Sequence, residues 1–109
     1  MQISARRMDT TTIFDVSGDI DLANSPEIRK ALLKEIKETK TPRVVMNLVK
    51  VRYIDSSGVA SLVEGLKASR DAGTRFILFG LSPAAREVLQ LSRLLKIFEV
   101  HDTEEQALG

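Results

Sequence analysis

The hydrophobic pattern is clearest in the middle of the chain, where a short apolar run precedes a helical stripe. Residues 44–48 are VVMNL, a mostly apolar and partly β-branched run that is typical of a buried strand. Residues 55–58, DSSG, are small or helix-capping types. Apolar residues then recur at the i, i+3, i+4, i+7 spacing of one helix face: Val59, Leu62, Val63 and Leu66. The pattern predicts a strand, a turn, and a helix with two serine hydroxyls at its N-terminus.

Two strand patterns precede this central segment. Residues 2–7 and residues 12–17 flank a polar turn at Asp9-Thr10-Thr11, so together they predict a β-hairpin. A loop with two carboxylates follows over residues 18–24, GDIDLAN.

Serine-proline pairs predict the starts of two further helices. At the first pair, Ser25 is expected to cap the helix and Pro26 to occupy its first position, where a missing N–H costs nothing. This helix is expected to end near Thr39. The pair at 82–83 repeats the pattern and predicts a helix to about residue 91.

The remaining elements complete an alternating order of strands and helices. Residues 75–79, RFILF, predict a buried strand, residues 97–100 a short one, and residues 103–106, TEEQ, a capped final helix. Strands joined through single helices imply parallel neighbours, and the hairpin adds an antiparallel pair. The prediction is one α/β domain over residues 1–109, with a mixed sheet of four to five strands and about four helices packed on it.

Composition narrows the range of partners. The chain has 16 basic and 15 acidic residues, which gives no reason to expect direct nucleic-acid binding. The absence of cysteine excludes disulfides and thiolate metal ligands. No apolar run approaches the roughly 18 residues of a membrane span, and no apolar segment follows the basic pair near residue 7 as in a signal peptide. We expect a cytoplasmic protein with no membrane partner.

Motifs for catalysis are missing. His101, the only histidine, is interpreted as an exposed turn residue rather than a base or metal ligand. The strand-turn-helix around Ser56 lacks the G-x-S-x-G of hydrolases, and neither common phosphate-binding glycine motif occurs. The carboxylates of Asp19 and Asp21 are more typical of turns than of acid-base pairs. We therefore expect no enzyme, no catalytic residue, no cofactor and no metal.

Residues alone leave two interpretations of the DSSG turn. It can be a plain helix cap, or a site where a kinase reaches Ser56. Gly58 decides little by itself, because a residue without a side chain can let another segment approach the first helical turn closely. It also leaves Ser56 uncovered, so that a kinase can reach the hydroxyl.

At this turn the chain resembles the STAS domain family, specifically the bacterial anti-sigma factor antagonists. The family pattern Asp-Ser-[Ser/Thr]-Gly before a small and aliphatic helix matches residues 55–60. A second pattern, Gly-[Asp/Glu]-aliphatic-Asp, matches residues 18–21. The flanking strands and residues 94–98, LLKIF, extend the resemblance over about residues 3–108. Residues 59–61, VAS, depart from the more frequent leucine-glycine pair.

The resemblance implies a STAS-like fold and a phosphorylation switch. A kinase-type anti-sigma factor would phosphorylate Ser56 with ATP, and a PP2C-type phosphatase would remove the phosphate. The unphosphorylated form would bind the anti-sigma factor and so release a sigma factor for transcription. Ser57 is expected to be the structural cap. The residues implied to form the partner-binding surface are Asp19, Asp21, Asp55, Ser57 and Gly58.

Two alternatives stand beside this switch. The same fold implies a possible constitutive STAS subunit in a stress-signalling or lipid ABC-transport assembly, with Ser56 a mere cap. A small hydrolase or nucleotide-hydrolysing enzyme is a third hypothesis, which the lone histidine and the absent phosphate loop argue against. We expect the free protein to be a monomer.

Overall fold

The computed structural model describes residues 1–109 and places five strands in one sheet, in the order β1-β2-β3-β4-β5. The first pair is antiparallel and every later pair is parallel, which confirms the predicted mixed sheet. The carboxyl ends of β2 to β5 therefore meet at one edge, called here the carboxyl edge. The strands are β1 (Gln2–Met8), β2 (Thr11–Ser17), β3 (Arg43–Lys50), β4 (Arg75–Phe79) and β5 (Glu99–His101).

Four α-helices accompany the sheet, as predicted. They are α1 (Ser25–Leu33), α2 (Ser56–Ala72), α3 (Pro83–Leu91) and α4 (Glu104–Leu108). A π-helical segment, Lys34–Thr39, continues α1, and a 3₁₀ turn, Leu95–Ile97, precedes β5. None of the helices is both long enough and apolar enough to cross a membrane.

The core has two unequal parts because helices cover both faces of the sheet. One cluster of 20 buried residues includes side chains from α1, α2 and α3 and from one sheet face. A cluster of five on the other face includes Ala107 of α4. The central strand β3 contributes Val44 and Met46 to the large cluster and Val45 to the small one, as its continuous apolar pattern predicted.

The start of α1 differs from the prediction. Ser25 is buried and is already the first helical residue, so Asn24 holds the N-cap position. Pro26 therefore occupies the second helical position instead of the predicted first. Neither Ser25 nor Asn24 makes a side-chain cap bond. Instead the Asp21 carboxylate accepts hydrogen bonds from the backbone N–H groups of Ala23 (3.0 Å) and Asn24 (3.1 Å), which turns the chain before the helix begins.

The end of the chain is partly as predicted. Ser82 caps α3 by accepting from the Ala85 N–H at 3.1 Å, and Thr103 with Gln106 forms the predicted capping box. The last strand is shifted, because residues 94–98 pack against the core from a helical turn. The interpretation of His101 as a turn residue is wrong: it ends β5, with Nε2 2.9 Å from Glu99 Oε2.

Candidate functional site

Two loops meet at the carboxyl edge and bring the GDID and DSSG motifs together. Ile20 and Ile54 form an isolated parallel bridge, and both side chains are fully buried. The Ile20 N–H donates to the Tyr53 carbonyl at 3.0 Å, and the Asp55 N–H donates to the Ile20 carbonyl at 3.0 Å. The bridge fixes the loop after β2 beside the start of α2.

Asp55 connects this loop to the helix through both carboxylate oxygens. Oδ1 accepts from the Gly58 N–H at 3.0 Å, which makes Asp55 the N-cap of α2. Oδ2 accepts from the Leu22 N–H at 3.0 Å. The prediction that Ser57 is the cap is therefore wrong, since Ser57 already lies inside the helix and its half-buried hydroxyl makes no hydrogen bond.

Gly58 is required by packing against the Ile20–Ile54 bridge. It is buried, and a Cβ there would lie 2.6 Å from Ile54 Cγ2 and 2.8 Å from both Cγ2 and the carbonyl oxygen of Ile20. Such distances are shorter than any normal contact, so a side chain would push the loop away from the helix. Of the two roles considered for Gly58 from the sequence, close approach of another segment is the one that the packing shows.

Ser56 is the exposed residue of the turn. It is the first residue of α2, and its hydroxyl makes no hydrogen bond within the protein. The hydroxyl is free because Asp55, not a serine, supplies the cap. Ser56 thus exposes a free hydroxyl to solvent at a helix N-terminus, a position that tolerates added negative charge.

Three carboxylates lie in the bridged loops beside Ser56, while Lys50 and Arg52 are exposed at the end of β3 and just after it. Asp19, Asp21 and Asp55 lie in the two bridged loops, and none of them forms an ion pair with a lysine or arginine. Asp55 and Asp21 accept backbone hydrogen bonds, whereas the Asp19 carboxylate accepts none. The structure therefore brings the predicted acidic residues together, and no ion pair forms to any of them.

Sequence reasoning missed two apolar residues beside these carboxylates. Leu22 is 75% exposed and Tyr53 is 46% exposed. Leu22 alternates with Ile20 in the loop sequence Asp-Ile-Asp-Leu, and this pattern gives no sign that Ile20 is buried while Leu22 is exposed. Tyr53 was considered only as part of the turn motif.

The ionisable side chains near the end of the chain, which could in principle act in catalysis, pair with one another away from this turn. Glu99 accepts two hydrogen bonds from the Arg75 guanidinium (2.9 and 2.5 Å) and also contacts His101. The hydrogen bonds from Arg75 hold the pKa of Glu99 below its usual value. No group of three or more His, Cys, Asp and Glu residues is placed to hold a metal ion.

Comparison with known proteins connects this geometry to a family. A family model described as the STAS domain matches residues 2–107. The anti-sigma-B factor antagonist of Listeria monocytogenes is 31% identical over 110 residues, which cover 100% of this chain and 94% of the relative.

Solved structures share the fold. An anti-sigma factor antagonist from Mycobacterium paratuberculosis superposes with a TM-score of 0.86 at 24% identity, covering 98% of this chain and 90% of that one. The anti-sigma factor antagonist SpoIIAA in its unphosphorylated form gives 0.76 at 20% identity, covering 98% and 94%. The family model, the Listeria relative and the shared fold agree, and the chain belongs to the STAS domain family.

Proposed function

We propose that this chain is an anti-sigma factor antagonist switched by phosphorylation of Ser56. In its unphosphorylated form it binds an anti-sigma factor of the serine-kinase type, which then releases a sigma factor for transcription. The observation that carries the proposal is the free, exposed hydroxyl of Ser56 at the start of α2, beside carboxylates that have no cationic partner in the chain. The names of the relatives support the same class of partner.

The structure supports a switch that leaves the fold intact. A phosphate adds about −1.5 to −2 charge at pH 7. The N-terminus of the 17-residue helix α2 favours that charge, so phosphorylation costs the folded chain little. A modification on one exposed residue can therefore act at an interface without a large conformational change.

The neighbours of Ser56 give the phosphate its effect on binding. A partner surface that binds Asp19 and Asp21 carries cations that match these two carboxylates. A phosphate beside Asp55 adds further negative charge, and the partner surface has no additional cation to pair with it. Unpaired or like charges at an interface cost several kcal/mol, and each 1.4 kcal/mol is tenfold in affinity.

The predicted partner-binding residues divide into two roles. Asp19, Asp21 and the exposed part of Ser57 face the partner. Asp55 and buried Gly58 hold the two loops in register, and a loss of either displaces the others. We propose further that a PP2C-type phosphatase restores the unphosphorylated state, and that the protein acts in the cytoplasm as a monomer when free and as a substrate of these enzymes.

Phosphorylation is tested by incubating the purified chain with ATP and a purified anti-sigma factor of the serine-kinase type. Intact-mass spectrometry after incubation with ATP is expected to show one added phosphate on the wild type and on Ser57→Ala, and none on Ser56→Ala. Ser57→Ala is the matched control, because it removes the adjacent hydroxyl in the same helical turn. A wild-type chain that gains no phosphate would contradict the switch.

Binding separates the switch from a constitutive role. Ser56→Ala is expected to bind the anti-sigma factor as tightly as the wild type. Ser56→Asp places a charge at the acceptor position and is expected to bind at least about tenfold more weakly. Equal binding by the two variants would assign the chain to a constitutive STAS assembly instead.

A further inference from the structure

Exposed apolar side chains concentrate at the carboxyl edge. The chain has five exposed large hydrophobic residues, and three of them, Leu22, Val49 and Tyr53, lie at the carboxyl end of β2 or β3 or in the loops that follow. Single exposed apolar residues are normal on a protein surface. Leu22 and Tyr53, however, lie in the two bridged loops that flank Ser56, which places apolar surface beside the proposed phosphorylation site. Val49 instead packs beside Gly80 after β4.

The other two residues lie away from this edge. Met8 pairs with Thr11 at the start of β2, which is the opposite end of the sheet. Leu91 ends α3, a helix that begins at the carboxyl edge, where the Ser82 hydroxyl donates to the Arg52 carbonyl. Its eight residues beyond Pro83 carry Leu91 roughly 12 Å along the helix.

Leu22 and Tyr53 are held in place by the same contacts that build the turn. The Leu22 N–H is bonded to the Asp55 carboxylate, and the Tyr53 carbonyl accepts from Ile20. The Asn24 side chain donates to the Asp19 carbonyl at 3.0 Å and closes the loop. Because the backbone is already ordered, burying these side chains in a partner costs little further chain entropy.

We infer that Leu22 and Tyr53 are the apolar anchors through which this chain binds its anti-sigma factor, an inference that rests on the proposed function. Their occupant is an apolar pocket on the anti-sigma factor, rimmed by lysine or arginine side chains that pair with Asp19 and Asp21. Charge complementarity selects this rim, because both carboxylates lack a cation within the chain. An apolar centre within a polar rim is the usual anatomy of such interfaces.

The anchors also sharpen the proposed switch. Ser56 follows Asp55 directly, and Asp55 holds the backbone of Leu22. A phosphate on Ser56 is a hydrated dianion beside the pocket that must close over Leu22. Closing that pocket would strip water from the phosphate without supplying a partner, which is strongly unfavourable.

The test measures affinity for the purified kinase-type anti-sigma factor by calorimetry. Leu22→Ala and Tyr53→Ala are each expected to weaken binding roughly 30-fold, the loss typical of an interface anchor. The matched controls are Leu91→Ala and Met8→Ala, because these residues are 77% and 44% exposed against 75% and 46% for the anchors. Both controls are expected to bind within about twofold of the wild type, as surface substitutions outside an interface do.

Phosphorylation kinetics give an independent readout. An anchor contributes equally to binding in the ground state and in the transition state of phosphoryl transfer. Its removal therefore raises KM and leaves kcat unchanged. Leu22→Ala is therefore expected to raise KM for Ser56 phosphorylation, with kcat preserved. A change in kcat alone would assign Leu22 to the geometry of the turn and overturn its role as an anchor.

The remaining outcomes are distinguishable. A wild-type chain that neither binds the anti-sigma factor nor is phosphorylated defeats the proposed function, and the anchors fall with it. A wild type that binds normally, while Leu22→Ala matches Leu91→Ala, overturns only the anchors. Self-association of the wild type that Leu22→Ala abolishes, seen by sedimentation, would show that a second copy covers this surface and would also overturn the inference.

Discussion

A single carboxylate, that of Asp55, determines the shape of the turn around Ser56. Its two oxygens bond different segments, the first turn of α2 and the loop that carries Leu22. Replacement of an N-cap aspartate by alanine typically costs about 1 kcal/mol, and the lost bond to Leu22 adds to this. Asp55→Ala is therefore expected to lower the free energy of unfolding by about 1.5–3 kcal/mol in denaturant titrations.

The matched control for this prediction is Ser57→Ala. The Ser57 hydroxyl makes no hydrogen bond, so its removal is expected to change the free energy of unfolding by no more than about 0.5 kcal/mol. Equal losses in the two variants would show that Ser57 shares the capping role that the structure assigns to Asp55.

The assignment of the cap shows where sequence reasoning ends at this scale. Asp55, Ser56 and Ser57 are all good capping residues, so the sequence alone allowed three starting points for α2. The choice depends on Ile20, which lies far away in the chain and fixes Asp55 in an extended conformation through the bridge to Ile54. The residue types identified the site, and a tertiary contact decided the role of each.

Among the elements, the π-helical segment after α1 is joined to the hairpin by a buried glutamate. Glu35 accepts two hydrogen bonds from the Arg7 guanidinium (2.8 and 3.0 Å) and one from the Thr12 hydroxyl (2.9 Å), and the Thr41 hydroxyl also donates to it. Burial raises the pKa of Glu35, but the bonds from Arg7, Thr41 and Thr12 outweigh burial and lower it. The charged form is thus the one that the fold stabilises.

This pKa shift predicts a pH dependence of stability. A carboxyl whose pKa is depressed in the folded state stabilises the protein above the pKa of the unfolded chain, about 4.3 for glutamate. That contribution is lost as the pH falls through the folded-state pKa, where the unfolded chain has already taken up its proton. The free energy of unfolding is therefore expected to decrease below about pH 5, measured by denaturant titration at a series of pH values.

Glu35→Gln isolates this contribution. The variant keeps the volume of the side chain and loses the charge, so its unfolding free energy is expected to be lower at pH 7 and to fall less steeply with acid. Glu38→Gln is the control, since Glu38 is exposed on the same segment and forms no ion pair. Parallel pH profiles for the wild type and Glu35→Gln would contradict the role of the Glu35 cluster.

Elements were easier to predict than their ends. The alternation of apolar strands with helical stripes was sufficient for the order and the parallel pairing, because those follow from which faces must be buried. The predicted start of α1 was wrong by one residue, since the Asp21 carboxylate, rather than the Ser25 hydroxyl, accepts hydrogen bonds from the backbone before the helix. The burial of Glu35 was invisible for a similar reason: a glutamate among lysines in a helix reads as solvated, and only the hairpin supplies its partners.

Over the whole molecule, the near-neutral charge conceals an uneven distribution. The exposed surface of α1 and the π-helical segment is rich in cations, and the loops that flank Ser56 carry Asp19, Asp21 and Asp55. Both regions matter only locally, because salt screens charges beyond about 10 Å at 0.1 M ionic strength. The net charge of +1 therefore says little about the partner. The basic side chains along this surface are Arg29, Lys30, Lys34 and Lys37.

The uneven charge distribution predicts that the loop of Asp19 and Asp21 guides the approach of the anti-sigma factor. If Asp19 and Asp21 meet a cationic rim, association is faster at low salt and slows as ionic strength rises. The double variant Asp19→Asn with Asp21→Asn is expected to associate about tenfold more slowly at low salt and to lose most of the salt dependence. Stopped-flow measurement of the association rate constant over a salt series gives both values.

The control variant also removes two charges, but these are positive and lie on a different surface. Lys30→Gln with Lys34→Gln neutralises two unpaired, exposed cations, one on α1 and one at the start of the π-helical segment, which the proposed contact does not include. It leaves Asp19 and Asp21 unchanged, so it is expected to preserve the sign and slope of the salt dependence. If the lysine pair rather than the aspartate pair flattened the slope, the partner would approach α1. The loop of Asp19 and Asp21 beside Ser56 would then not guide the partner, and the proposed charge effect of the phosphate would lose its support, so this one comparison tests where the partner sits and how the switch works.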